Sequence, residues 1–451
     1  MNAHQRLARA RASASSGLLV RLVRLLACAS VVGLVMSVTL TACGGGGGDG
    51  GGNSAGSPPA PSASAAPTAV QPAATPAPNT SNTSNTSVPP SSTPNVHPVS
   101  VAATPSSTRN MLTTTVTVCV PGTSTCATIG NVQVDTGSQG LRLLASALPA
   151  GLNLPAVSAG SGQAIAGECA GFGSGYTWGA VRSADVRLAG EVASALPIQV
   201  IADAAVPATP SACQGRGLAM LTPATLRANG ILGVGPFDAD CGASCVNQAS
   251  GSWYYACASG TCAASAQPLA QQVRNPVAAF ATDNNGVVLD LPAVAATGAS
   301  SVSGSLIFGI GSQSNNALGG ATVLRANTVT GFVSTTTSDG SVYAQSYLDS
   351  GSNGLFFANA TLTRCGVWYC PSSPQSLSAT IKGIDGTGAP AALSIDSAQT
   401  LFASGNWAFA NLAGYNGNAF GWGLPFFFGK RVYTAIEAQA TPVGAGPYFA
   451  F

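Results

Sequence analysis

Two segments of this chain read almost alike, and their pairing constrains the fold more than any other feature. Val134-Asp135-Thr136-Gly137-Ser138-Gln139-Gly140-Leu141 and Leu348-Asp349-Ser350-Gly351-Ser352-Asn353-Gly354-Leu355 agree in type at every step: apolar, Asp, hydroxyl, Gly, Ser, amide, Gly, Leu. They stand 214 residues apart. A near-repeat at that distance implies a duplicated lobe with one Asp loop in each copy. One such string alone is weak, because Asp, Ser and Gly are turn residues. Ser338-Asp339-Gly340-Ser341 shows how readily the string arises as a bare turn. The matched pair, each copy entered through an apolar strand, is much harder to obtain that way.

The residue types suit a shared site. Two carboxylates brought together cannot both ionise cheaply, so the pair holds one proton between them. Thr136 and Ser350 are expected to hydrogen-bond across to the opposite loop. Gly137 and Gly351 let backbone N–H groups approach the carboxylates, and Ser138 and Ser352 can donate to the outer carboxylate oxygens. The titration then belongs to the pair, not to Asp135 or Asp349 alone.

Other chemistries lack their residues. The chain has two histidines, His4 and His97, and only His97 lies outside the N-terminal leader. That argues against Ser-His-Asp and Cys-His catalysis and removes the commonest ligand of a catalytic zinc. There is no phosphate loop of the GxxxxGK[ST] type. Phe308-Gly309-Ile310-Gly311 holds two glycines of a dinucleotide fingerprint, but neither the third glycine nor a following helical pattern, and reads as a strand end. No cofactor and no metal are expected.

The N-terminus reads as an export signal. Arg6, Arg9, Arg11, Arg21 and Arg24 precede an apolar run, which ends in Leu40-Thr41-Ala42-Cys43-Gly44. Residues 1–42 are expected to be a cleaved lipoprotein signal, with Cys43 acylated. The site resembles those of outer-membrane lipoproteins, which implies an outer-membrane protein facing the periplasm or the cell surface, held to the membrane through its N-terminal lipid only. Losing the five arginines leaves twelve basic against fifteen acidic groups, so there is no electrostatic footprint for nucleic acid. Residues 43–95, rich in Gly, Ser, Pro and Ala, bury too little to order themselves and read as a flexible tether.

About 355 residues remain. Val, Thr and Leu runs broken by Gly, Asn and Asp point to short strands and tight turns, a mainly β chain. Ten cysteines follow Cys43, and export makes disulfides the default. Cys119–Cys126 flank a turn, and Cys365–Cys370 are expected to pair locally. Cys169–Cys213 is a trial pairing that spacing does not derive. Cys241, Cys245, Cys257 and Cys262 allow three pairings, and a zinc site as a minor alternative.

The Asp loops resemble those of the pepsin-like aspartic peptidases, one in each lobe. Gly230-Ile231-Leu232-Gly233, Ser305-Leu306-Ile307-Phe308-Gly309 and Gly423-Leu424-Pro425-Phe426-Phe427-Phe428-Gly429 through Glu437 resemble that family's later landmarks, the last as a strand-helix-strand stretch. Phe172-Gly173-Ser174-Gly175, with Tyr176 nearby, resembles the flap hairpin that folds over bound peptide. The resemblance covers about 110–437, and the chain also looks similar to bacterial Cys-containing lipoproteins of unknown function placed near that clan. It implies a bilobal pepsin-like acid-protease fold with β-barrel-like lobes: an N-terminal lobe over 96–310, a C-terminal lobe over 311–451, and a cleft between them. It further implies a monomeric aspartic-type endopeptidase acting on an extended peptide or protein through Asp135 and Asp349. The alternative is an inactive binding or recognition lipoprotein on the same fold. The sequence departs from the family where the usual flap Tyr reads Phe172, where the second apolar-apolar-Gly is the weak Gly421-Trp422-Gly423, and in the Cys-rich stretch 241–262.

Overall fold

The computed structural model describes residues 94–451 apart from 161. The expected signal segment, the lipidation site Cys43 and nearly all of the tether lie outside the described residues. Strands dominate, and helices are one or two turns long. Among the described residues no helix is long and apolar enough to cross a membrane.

Two sheets form. One has sixteen strands and runs from Val96 to Arg325, with Lys430–Ala435 and Tyr448–Ala450 returning to it; the other has nine strands between Val333 and Trp422. The pattern follows burial. Gly388–Ile395 buries Ala389, Ala391, Leu393 and Ile395 and exposes the residues between, the period of a half-buried strand. Gly230–Val234 is buried throughout, as a strand enclosed on both faces must be. The largest apolar cluster takes Val134 and Leu232 from the first sheet and Leu348, Leu355 and Trp422 from the second. The mainly β class expected from the sequence is the one observed, and each of the two sheets carries one Asp loop.

Each half builds its Asp loop in the same way. Cys126–Asp135 enters the first loop and Gln139–Leu144 leaves it. Gly230–Val234 runs between them, parallel to the entering strand (Val134↔Leu232) and antiparallel to the leaving one (Leu141↔Leu232). In the second half Val342–Leu348 enters, Leu355–Phe357 leaves, and Phe420–Trp422 runs between, again parallel to the first and antiparallel to the second. Gly421-Trp422-Gly423, weak as a motif, thus holds the same topological place as Ile231-Leu232-Gly233. The strand-helix-strand stretch expected at 423–437 takes a short form: after Phe420–Trp422 comes a single 3-10 turn, Leu424–Phe426, and then the strand Lys430–Ala435. Leu424 and the bulky run Phe426–Phe428 belong to the core.

The ten described cysteines form five disulfides. Cys119–Cys126, Cys169–Cys213 and Cys365–Cys370 are joined by Cys241–Cys245 and Cys257–Cys262. Of the three pairings open to the last four, the local one is found, because Cys257 and Cys262 stand opposite each other across a hairpin.

Candidate active site

The two Asp loops meet at their tips. Thr136 Oγ1 donates to the Leu348 carbonyl at 3.1 Å and accepts from the Ser350 N–H at 3.0 Å. Ser350 Oγ donates to the Val134 carbonyl at 2.9 Å and accepts from the Thr136 N–H at 3.1 Å. Each hydroxyl therefore satisfies one donor and one acceptor of the opposite loop, and all of these groups are buried.

The carboxyl groups are dressed with the same symmetry. Asp135 Oδ1 accepts from the Gly137 N–H at 2.7 Å and Oδ2 from Ser138 Oγ at 2.5 Å. Asp349 Oδ1 accepts from the N–H groups of Gly351 (2.8 Å) and Ser352 (3.2 Å), and Oδ2 from Ser352 Oγ at 2.7 Å. A Cβ on Gly137 would stand 2.7 Å from Asp349 Oδ1, and one on Gly351 would stand 2.6 Å from Asp135 Oδ1. Only glycine leaves room for the opposite carboxyl at either place.

Asp135 and Asp349 are 1 % and 0 % exposed, and their Oδ1 atoms converge: a Cβ on Gly351 would stand 2.6 Å from Asp135 Oδ1 and 3.1 Å from Asp349 Oδ1. Burial raises the Asp135 carboxyl above its ordinary range, while the bond from Asp349, the Ser138 hydroxyl and the Gly137 N–H pull it back. Burial, and after it the Asp135 charge, hold Asp349 well above that range. Two buried carboxyls this close share one proton, and the titration belongs to the pair.

The hairpin of Ile165–Phe172 and Gly175–Leu188 turns at Gly173-Ser174, with Phe172 opposite Gly175. Its tip is fastened from the side: Gly175 and Tyr176 pair with Leu218 and Ala219, and Ser174 Oγ donates to Met220 Sδ at 3.2 Å. Phe172 is buried among Leu144, Met220, Leu226 and Ile231. Tyr176 packs elsewhere, with Cys169, Trp178 and Cys213, so its hydroxyl does not replace the one Phe172 lacks. Under the tip, Met111, Gln133, Phe172, Ser174 and Ile231 line a cavity of about 30 Å³, space for about two water molecules.

Several residues at the site escaped the sequence reading. Gln133 Nε2 donates to the Gly351 carbonyl at 2.8 Å. Asn110 Nδ2 donates to the carbonyls of Asn353 (3.0 Å) and Phe409 (2.9 Å) and ties the turn before Leu112–Cys119 to the second loop. Arg142 is buried against Glu168 and Asp240. A signal for Arg142 existed: it is the lone charge in the apolar strand Leu141-Arg142-Leu143-Leu144, where only a partnered charge survives. Gln133 and Asn110 carry no comparable mark.

The solved structures compared include the crystal structure of an aspartic proteinase from Irpex lacteus, 16% identical, with 79% of this chain and 96% of that one covered and a TM-score of 0.47. No curated protein matches the sequence. A family model described as "Protein of unknown function (DUF3443)" matches residues 91–451, and the chain belongs to that family.

Proposed function

We propose that this chain is a lipid-anchored aspartic endopeptidase, exported and held at the outer membrane through Cys43. The observation that carries the reading is the buried, convergent pair Asp135 and Asp349, both raised above their ordinary range by burial. A water bound between the inner oxygens gives a proton to Asp135 as its oxygen attacks the peptide carbonyl carbon. Asp349 gives its proton to the carbonyl oxygen. The tetrahedral diol then collapses: the C–N bond breaks, the leaving nitrogen takes the proton held by Asp135, and a diol hydroxyl returns one to Asp349. The substrate is an extended peptide lying under the Phe172–Gly175 hairpin, and the protein acts as a monomer.

A second reading, a non-enzymatic recognition module, is favoured by the hairpin. Phe172 has no hydroxyl, and the hairpin tip is fastened at its side by Leu218-Ala219 and Met220. Substrate entry on the first reading requires the hairpin to lift.

The deciding assay is cleavage of an unfolded protein below about pH 6, where the pair is singly protonated. Pepstatin-sensitive cleavage by the native chain, lost in Asp349→Asn, is expected. Equal hydrolysis by the two proteins would overturn the reading.

A further inference from the structure

The hairpin rests on a buried charge cluster that the proposed chemistry does not use. Arg142 lies on the strand that leaves the first Asp loop. Its Nη2 donates to Glu168 Oε1 at 2.5 Å and to Asp240 Oδ2 at 3.0 Å, and its Nη1 to the Gln139 carbonyl at 2.5 Å. Glu168 belongs to the hairpin's first strand. Asp240 adjoins the Cys-rich segment, where it accepts from Tyr254 Oη at 2.6 Å and the Cys241 N–H at 2.8 Å. The guanidinium carbon stands 5.7 Å from the centre of the Phe172 ring. Arg216 acts on Glu168 through its charge, and its Nη1 would stand 2.7 Å from a Cβ placed on Gly171 of the hairpin.

Burying such a cluster is not an efficient way to stabilise a fold, because desolvation offsets most of the attraction. Two atoms in it stay unpartnered, Arg142 Nε and Glu168 Oε2. What the cluster does is geometric: one side chain joins the Asp135 loop, the hairpin and the Cys-rich segment. We propose that Arg142 is a positioning residue for the Asp135–Asp349 pair, seating the Phe172 tip of the hairpin and holding a fixed positive charge on the Asp135 side. The Arg142 charge is among the influences that lower the Asp135 carboxyl against the effect of burial. Without it Asp135 keeps its proton to higher pH. The kinetic part of this inference rests on the peptidase reading; the rest stands without it.

The test uses Arg142→Met and Arg142→Lys on the full chain. Because Arg142→Met leaves two buried carboxyls without their cation, Arg142→Met/Glu168→Gln serves as a second variant, in which Asp240 keeps Tyr254 and Cys241. Three quantities are read: infrared titration of the pair, taken as a difference against Asp135→Asn; hydrogen exchange of amides 169–178; and the pH profile of kcat/KM on reduced, carboxymethylated albumin. Removing the guanidinium is expected to move the pair's lower titration step, and the acid limb of kcat/KM with it, to higher pH. Hairpin exchange rises about tenfold. Arg142→Lys restores the titration, since the charge returns, but not the slow exchange, since the fork does not. A folded double variant with unchanged titration and unchanged exchange overturns the proposal. A native chain that cleaves nothing overturns the peptidase reading instead, while titration and exchange still decide the role of Arg142.

Discussion

Thr136 and Ser350 hold one another's backbones: each side-chain oxygen donates to a carbonyl and accepts from an N–H of the opposite loop. Removing either hydroxyl leaves a buried N–H and a buried carbonyl unpartnered, which costs about 1–3 kcal/mol for each group. Thr136→Val and Ser350→Ala are each expected to lower unfolding stability by about 2–4 kcal/mol. Thr136→Ser, which keeps the hydroxyl, should cost under about 1 kcal/mol. Denaturant unfolding of the single and double variants checks this. The double should fall short of the sum by about 1 kcal/mol or more, because both side chains serve one junction.

The dyad separates stability from turnover. Asp135→Asn and Asp349→Asn keep the shape of each loop and an oxygen to accept from Ser138 or Ser352, but neither can shuttle a proton. Cleavage should fall about 10²–10⁴-fold in each. Stability should hold or rise, because a buried ionisable group that cannot ionise no longer opposes folding. Side-by-side assays of turnover and denaturant midpoint decide it; a midpoint that collapses along with activity would show that the pair is structural.

Acid should favour the fold over a defined window. Asp135 is raised above its ordinary 3.8, and Asp349 and Glu168 are raised well above 3.8 and 4.5, each chiefly by burial. Below the ordinary values these carboxyls are protonated in both states, and their contribution to stability is fully present. As pH rises past those values the unfolded chain releases protons that the folded chain keeps, so stability falls until the folded-state values are passed. The melting temperature should therefore rise from pH 7.5 to pH 5. Asp349→Asn and Glu168→Gln should each flatten that slope, and a slope left intact by both would assign it to other groups.

The disulfides differ in what they constrain. Cys169–Cys213 closes a 44-residue separation, whereas the other four close separations of 4 to 7. By loop-closure entropy the long bridge contributes about 4 kcal/mol and each short one about 2 kcal/mol. It also fastens the hairpin strand that carries Glu168 to the short helix Ser211–Gln214. Cys169→Ala/Cys213→Ala should lose roughly twice the stability of Cys257→Ala/Cys262→Ala in denaturant unfolding.

Much of the site was legible because symmetry doubled the signal. Asp135-Thr136-Gly137-Ser138 alone is a turn string. Ser338-Asp339-Gly340-Ser341 is one in fact, an exposed hairpin tip whose Asp339 caps the Thr337 hydroxyl and the Ser341 N–H. The second copy at Asp349 removed that ambiguity. The Arg142 cluster was not legible in the same way, since its members come from three segments that no spacing relates. Nor was the closure of the hairpin: Leu218-Ala219 is a two-residue strand, too short to leave a period. The helical part of the strand-helix-strand stretch expected at 423–437 is only the 3-10 turn Leu424–Phe426, and Phe426, Phe427 and Phe428 are all buried.

Gly351 offers the sharpest test of the paired geometry. A methyl there would stand 2.6 Å from Asp135 Oδ1 and 2.7 Å from its Cγ, and the carboxyl cannot swing aside without leaving Ser138 and the Gly137 N–H. Gly351→Ala should therefore push the two carboxyls apart and end their sharing of a proton. Its φ is not in the left-handed region, so the added Cβ acts through space and not through backbone strain. Turnover should drop about 100-fold or more, as misplacement of reacting groups by about 1 Å does. Asp349, relieved of the nearby Asp135 charge, should titrate lower than in the native chain. Gly320→Ala, where nothing lies within 4 Å, is the matched control and should leave both quantities unchanged. If Gly351→Ala cleaves and titrates like Gly320→Ala, the inner oxygens of Asp135 and Asp349 do not work as a pair.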